Sequence, residues 1–438
     1  MPPRSLAVLV LLAASAMPSS AAARAWSAPG VLLAACGARG YNCVAESAPR
    51  AAVNARGTTL VAWVSGGPKA HVQVAAAGPG GRFERPITMG VGLRPSVAVA
   101  RGGVEVVVWE GTSGLMFARR APSHRFSRAR PLLGTGATRY DGSPKLAAQP
   151  DGGTLVVYGS RTGLHSVLIS PAGRPGSPRE LGLGSLKHDS FRAAPNGQVA
   201  VCCMTPPAAA VPPLPALPPP SPPTPVALYA PGAGWSILTP PLAAGTEVET
   251  VGPGAGAVAL GTIDVQGGGE VGTQGVPGLL RIGPGGTFAP NRTGPVRSAR
   301  RALGPVVAID GSDRDVLVYQ EKDRPAAFSR DAPVYAVVSN PLSPFGARQV
   351  LDRGLAHEPA VSAYRDGAVA AWQAPGNRWR VSVERDGRFE RAQVPAGPGP
   401  SMVGEDFNYS HDMAADGRYV VLAWTALDGS VRASVGTP

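Results

Sequence analysis

Beyond residue 50 the hydrophobic and polar positions follow one short pattern over and over: a few residues in period-two alternation, a glycine turn, a β-branched run ending on an aromatic, then two further short runs. Period-two alternation bounded by Gly and Asp is the mark of half-buried strands. The first copy reads Ala51-Ala52-Val53, Arg56-Gly57, Thr59-Leu60-Val61-Ala62-Trp63, Val72-Gln73-Val74-Ala75 and Gly81-Arg82-Phe83-Glu84-Arg85. The last five letters return as Gly387-Arg388-Phe389-Glu390-Arg391. Equivalents of the Thr59–Trp63 run occur at Val104–Trp109, Thr154–Tyr158, Val199–Cys203, Ala257–Gly261, Asp315–Tyr319, Ala368–Trp372 and Val420–Trp424. Asp151-Gly152, Asn196-Gly197, Asp366-Gly367 and Asp416-Gly417 sit between first and second runs, where hairpins need residues tolerant of positive φ. No helical period appears after residue 24, which excludes α-solenoid and α/β architectures.

The second runs are spaced by roughly 45 to 58 residues, the size of a four-stranded propeller blade with long loops. The pattern therefore predicts an all-β fold: a single closed β-propeller of about eight four-stranded blades, with seven as the alternative count. The final copy has only three strands before the chain stops, and Trp26-Ser27-Ala28-Pro29-Gly30-Val31 resembles the fourth-strand phrase Phe83–Thr88. An N-terminal strand added to the last blade closes the ring and removes open sheet edges. Two segments interrupt the rhythm. Residues 206–225 hold eleven prolines, which cannot donate to a ladder, and are read as a loop inserted in the fourth blade. Gly261–Pro277 is read as a second long hairpin loop.

Composition adds compartment and chemistry. Arg4, the apolar run Leu6–Ala16 and small residues near Ala21–Ala25 form an export signal over residues 1–23, leaving 24–438 as the propeller. No later stretch is apolar for long enough to span a membrane, so a secreted protein is expected, and a monomer. The net charge is +12, but the basic residues are scattered and only Lys69, Lys145, Lys187 and Lys322 are lysines. Dispersed Arg argues for a solvated surface and no nucleic-acid partner. Four cysteines suit an oxidising compartment. Cys36 and Cys43 are close enough to form a local disulfide, and Cys202 and Cys203 stay unassigned. Leu33-Ala34-Ala35-Cys36 also resembles a lipobox, so lipid anchoring at Cys36 is the alternative location.

Hydrolase, zincin, nucleotide and metal signatures are absent, and no cofactor is expected. In blade rhythm the chain resembles the sialidase-like and BNR-repeat propellers of secreted bacterial proteins, although their Asp-box does not occur. Candidate site residues come from the position where the chain enters each innermost strand: Arg94, Tyr140-Asp141, His188-Asp189, Arg301, His357-Glu358 and His411-Asp412. Three of the six histidines fall here, each followed by a carboxylate. Turn capping, a ligand site and a catalytic carboxylate pair such as Asp141 with Glu358 all fit that pattern. The reading adopted is a non-enzymatic binding module for a polar ligand, glycan or protein partner. Its alternative is a sialidase-like glycan hydrolase working through the same ring. The repeated Trp63, Trp109, Tyr158, Tyr319, Trp372 and Trp424 are assigned to the core between blades.

Overall fold

The computed structural model describes residues 26–27, 30–33, 48–66, 69–133, 143–160, 162–184, 191–202, 224–243, 246–254, 256–266, 274–290, 292–293, 300–323, 332–375, 378–395, 411–426 and 430–438. The chain is an eight-bladed β-propeller. Blade 1 comprises Arg50–Val53, Thr59–Ser65, His71–Ala77 and Ile87–Val91. Blade 2 comprises Leu93–Val99, Glu105–Gly111, Gly114–Arg120 and Arg130–Pro131. Blade 3 is Lys145–Ala148, Thr154–Ser160, Gly163–Ile169 and Arg179–Glu180. Blade 4 is Phe191–Ala193, Val199–Val201, Val226–Ala230 and Gly234–Leu238, and blade 5 is Thr246–Gly254, Ala257–Gln266, Gln274–Ile282 and Arg292–Thr293. All neighbouring strands within a blade run antiparallel, as short hairpin connections require.

Blades 6 and 7 share one strand. Gln349–Tyr364 is the outer strand of blade 6 where it pairs with Ala332–Ser339, and the innermost strand of blade 7 where it pairs with Gly367–Ala374. Arg300–Ile309 and Asp315–Asp323 complete blade 6, while Arg378–Arg385 and Arg388–Phe389 complete blade 7. Blade 8 is assembled from both ends of the chain: His411–Asp416, Tyr419–Thr425 and Val431–Gly436, with Gly30–Leu33 as its fourth strand. Trp26 adds a bridge to Gly436, and the Ser27 hydroxyl accepts from the Val435 amide at 3.0 Å. The closure expected from the N-terminal phrase is thus present, with its regular part a few residues later than Trp26.

Each seam between blades is one hydrophobic layer. Ala51, Val53, Val61 and Trp63 of blade 1 pack on Tyr419, Val421 and Ala423 of blade 8, and Leu60, Ala62 and Val74 pack on Val97, Val107 and Trp109 of blade 2. Strand alternation produces this division, because successive side chains leave opposite faces of a blade. Trp63, Trp109, Tyr158, Tyr319, Trp372 and Trp424 are all buried in these layers, which bears out their core assignment. Close backbone approach fixes glycine at the turns. Gly57 has φ +80 and lies where a Cβ would stand 2.8 Å from the Tyr419 ring, and at Gly367 a Cβ would meet the Glu384 carbonyl at 2.1 Å.

One expectation needs correction. Gly261–Pro277 is not mainly loop, because the hairpin of blade 5 extends to the pair Gln266↔Gln274, a ladder that backbone bonding sustains without large side chains. The proline segment does fall between the second and third strands of blade 4, whose flanks pair as Val201↔Ala227, although most of the segment lies outside the described residues. Cys202 is disulfide-bonded; Cys36, Cys43 and Cys203 lie outside the described residues, and with them the expected Cys36–Cys43 bridge. Among the described residues no helix is long and apolar enough to cross a membrane.

Removing the closing strand should open the ring. A chain lacking residues up to Leu33 is expected to unfold at a clearly lower temperature, measured by differential scanning calorimetry. Trp372→Ala, at a fully buried position whose indole N–H donates to Asp352 at 2.8 Å, is expected to cost about 3–5 kcal/mol in urea titrations.

Candidate functional site at the channel mouth

The innermost strand of each blade begins on the face of the ring where the second strand ends, so strand starts from all blades meet at one mouth of the central channel. Register places them at comparable heights. Arg50 lies opposite Ala62, Lys145 opposite Val157 and Asp412 opposite Ala423, each one residue before the core aromatic of its blade. Ser96, opposite Val108, holds the same rung in blade 2. Arg94 stands two residues nearer the mouth, in a bulge between the pairs Leu93↔Glu110 and Ser96↔Val108. Arg192, opposite Ala200, stands two residues deeper, about 7 Å along the strand at the usual rise. Four consecutive blades therefore each present one basic residue on the innermost strand. Across the channel the rung is apolar at Val306 and Ala360.

The four cations differ in setting. Arg94 has φ +51 and is the sole non-glycine residue with positive φ on an innermost strand among the described residues; the others lie in hairpin turns. A left-handed arginine costs about 1–2 kcal/mol, which the bulge imposes and a contact of Arg94 with Glu110 at 3.3 Å partly offsets. Its side chain is 42% exposed. Arg50 points, by alternation, into the seam between blades 1 and 2, because Ala51 and Val53 face blade 8. The buried Arg50 Nε makes no hydrogen bond to protein. Arg192 donates to the Phe191 carbonyl at 2.9 Å and is partly buried. Glu249 of blade 5 occupies a bulge of its own, so acids at Glu249 and Asp412 bracket the basic blades.

The residues singled out from sequence are distributed unevenly. Tyr140, Asp141, His188 and Asp189 lie outside the described residues. Arg301, His357 and Glu358 are placed by backbone alone: Arg301 pairs with Lys322 and His357 with Gln373, both near the mouth. Asp412 accepts a hydrogen bond from the Ala51 amide at 2.9 Å, so its carboxylate joins blade 8 to the edge of blade 1. His411 is buried with its ring 4.4 Å from that of Trp379, in the seam between blades 7 and 8. This His-Asp pair serves blade docking. Arg50, Lys145 and Arg192 were not picked out from sequence, yet a signal existed: Pro49-Arg50, Arg94-Pro95 and Pro144-Lys145 put proline beside the cation in three successive repeats. Ser160 and His165 also meet near this face at 2.9 Å, but the Ser160 hydroxyl also bonds the Gly163 carbonyl and the Thr162 amide, which makes it a turn residue.

The opposite face carries several buried ion pairs. Asp315, fully buried, is held by Arg281 and Arg292 from blade 5, and Glu105 by Arg120 within blade 2. Between blades 6 and 7, Arg314 contacts Asp310 at 2.7 Å and Glu384 at 3.0 Å. Burial raises the Glu384 carboxyl to about 7, against the pull of the Gly387 amide and Arg314. These networks sit at hairpin turns and read as staples between strands and blades.

No family model matches the chain, and no curated protein does. Among solved structures, a lectin from Burkholderia pseudomallei aligns with TM-score 0.50 and 14% identity over 81% of this chain and 100% of its own. An α-L-arabinanase from Penicillium chrysogenum, solved with arabinobiose, aligns with TM-score 0.40 and 13% identity over 94% and 98%. At these identities the likeness concerns the fold alone. The chain shares its fold with that lectin.

Because the folded-state pKa of Glu384 lies above its unfolded value near 4.5, the folded protein binds more protons between those limits. The group's stabilising contribution is whole below about pH 4.5 and is lost as pH rises to about 7. Denaturant titrations across that interval are expected to show wild type weakening relative to Glu384→Gln, with no further divergence above pH 8.

Proposed function

We propose that this protein is an exported, non-enzymatic propeller that binds a polar ligand, a glycan in the first instance, at the channel mouth defined by the innermost strands. The observation that carries the reading is the set Arg50, Arg94, Lys145 and Arg192 on four consecutive blades. A pocket needs a few convergent polar groups on a rigid frame, and paired strands supply that frame. Binding, in preference to hydrolysis, is favoured by what the described acids do. Asp412 is engaged by the Ala51 amide, and Glu110 lies against Arg94, so neither stands as a free acid facing a partner base. Export agrees with the leader-like residues 1–23 and with the four cysteines. The remaining candidates Tyr140, Asp141, His188, Asp189, Arg301, His357 and Glu358 belong to the same proposed rim.

A glycan array probed with the purified protein is the direct test. Binding is expected for at least one polysaccharide class, and Arg94→Ala is expected to weaken it by about fivefold to tenfold, the worth of one charge-assisted hydrogen bond. Mass spectrometry of the bound glycan after prolonged incubation is expected to show unchanged chain length. Shortened products would replace the binding reading with an enzymatic one.

A further inference from the structure

We propose that the face opposite the mouth docks this protein on an anionic phospholipid bilayer, through the loops that join the third and fourth strands of blades 1, 2 and 3. This contact is independent of what the mouth binds. The third strand of each blade ends on that face, so the loops lie there side by side. Glu84, Ser127 and Gly176 each donate their amide to the next-to-last residue of the third strand, at the carbonyls of Ala76, Arg119 and Leu168. Two residues before them stand Arg82, Arg125 and Arg174, so three successive blades carry arginine at one structural position. Arg85 and Arg128 repeat a second position on blades 1 and 2. All five are exposed, and among the described residues none of them pairs with a carboxylate.

Two contacts make the loops one surface. Arg120, at the end of the third strand of blade 2, holds Glu84 of blade 1 at 2.8 Å, and Arg119 donates to the Pro171 carbonyl of blade 3 at 2.6 Å. Residues 78–86, 121–129 and 170–178 contain one carboxylate, Glu84, and Arg120 takes it up. The next acids are on blade 3: Glu180 stands on its outer flank opposite His165, and Asp151 accepts the Gly153 amide in its first turn. Arginines scattered along the chain are thus gathered by the ring into one sector. The matching loops elsewhere differ. Thr287 and Pro344 hold the position of Arg82 in blades 5 and 6, and residues 231–238 of blade 4 carry no charge. Blade 7 has Arg388 and Arg391 there, with Asp386 and Glu390 beside them.

A guanidinium meets phosphate through two parallel bonds, and an anionic leaflet attracts every Arg held near its surface. The five arginines stand on separate loops at no constant spacing. Lipids diffuse laterally and gather under cations fixed in that way, whereas a polymer brings its charges at its own repeat. Nucleic acid fits less well, because single strands are gripped by stacking on exposed rings. Phe83 and Phe126, the aromatic residues of these loops, are instead packed into the seams on either side of blade 1. No large aliphatic or aromatic side chain of the three loops is exposed. The contact is therefore electrostatic and superficial, and the mouth on the other face stays open to its own ligand.

The test is co-sedimentation of the purified protein with phosphatidylcholine vesicles, pure or with about 30% phosphatidylglycerol, at about 50 and 500 mM salt. Expected is binding to the anionic vesicles alone, released at the higher salt. Each arginine removed is worth about fivefold, so Arg125→Ala with Arg128→Ala should weaken binding about tenfold or more. Arg353→Ala with Arg378→Ala, at exposed positions toward the mouth side of blades 6 and 7, makes the same change in net charge and should leave it unaltered. Circular dichroism melts of the variants should match wild type. If the Arg125 and Arg128 pair melts early, Arg82→Ala with Arg174→Ala carries the comparison. Equal binding to neutral vesicles, or binding to neither, would overturn the proposal. An equal loss in the Arg353 and Arg378 pair would reduce the effect to general attraction by a chain of net charge +12 and overturn it too. So would dextran sulfate or a single-stranded oligonucleotide bound as tightly as the anionic vesicles and lost in the Arg125 and Arg128 pair, which would reassign the surface to a soluble polyanion.

Discussion

The structure depends on the packing of blade on blade. A single four-stranded sheet of this chain has two apolar faces, as blade 1 shows with Val61 and Trp63 on one side and Leu60 and Ala62 on the other, and neither face can be left to water. Every blade therefore needs two neighbours, and only a closed ring gives each of them two. The seam between blades 8 and 1 meets the same demand as the other seams. The chain satisfies it by borrowing a strand from its own N-terminus, with Leu32 buried in the shared layer beside Val431 and Ala433.

Closure has consequences for polar groups. The innermost strands leave one edge unpaired toward the channel, and Asp412 accepts the Ala51 amide from across the seam, a side chain completing what a ladder cannot. On the far face, arginines of one strand or blade grip carboxylates of the next, with Asp315 shared between Arg281 and Arg292. A buried carboxylate is tolerated there because two guanidinium groups surround it, and its pKa is still raised by burial. Toward the mouth, Arg348 with Glu321 and Arg94 with Glu110 form pairs of the same kind. The frame that carries Arg50, Arg94, Lys145 and Arg192 is made rigid by the same seams that make the fold stable.

Much of this was legible in the residues. Period-two alternation, an aromatic at each second-strand end and Asp-Gly or Asn-Gly turns specify strands and hairpins locally, and the repeat of that unit implies a propeller. The closing strand was legible because its phrase resembles the other fourth strands. The blade 5 hairpin was misread because its glycines resemble loop composition, while backbone pairing across Thr262↔Gly278 needs no side chain. The mouth was read only in part. His411-Asp412 looked like a polar pair free for chemistry, yet alternation sends His411 into the seam against Trp379, and the bulge of blade 2 lifts Arg94 out of the ladder.

The sequence by itself determined the strand pattern and pointed to a ring of about eight blades closed by an N-terminal strand, because hairpins are set by residues near in sequence and the blade is a unit that repeats. Which side chains share a rung around the channel was decided by the tertiary structure. Arg50 and Lys145 stand level while Arg192 sits deeper, a relation set by bulges, turn lengths and the register of separate sheets. Those quantities arise only when eight sheets pack face to face, so the rung that Arg50 and Lys145 share could be seen in the folded ring and nowhere earlier.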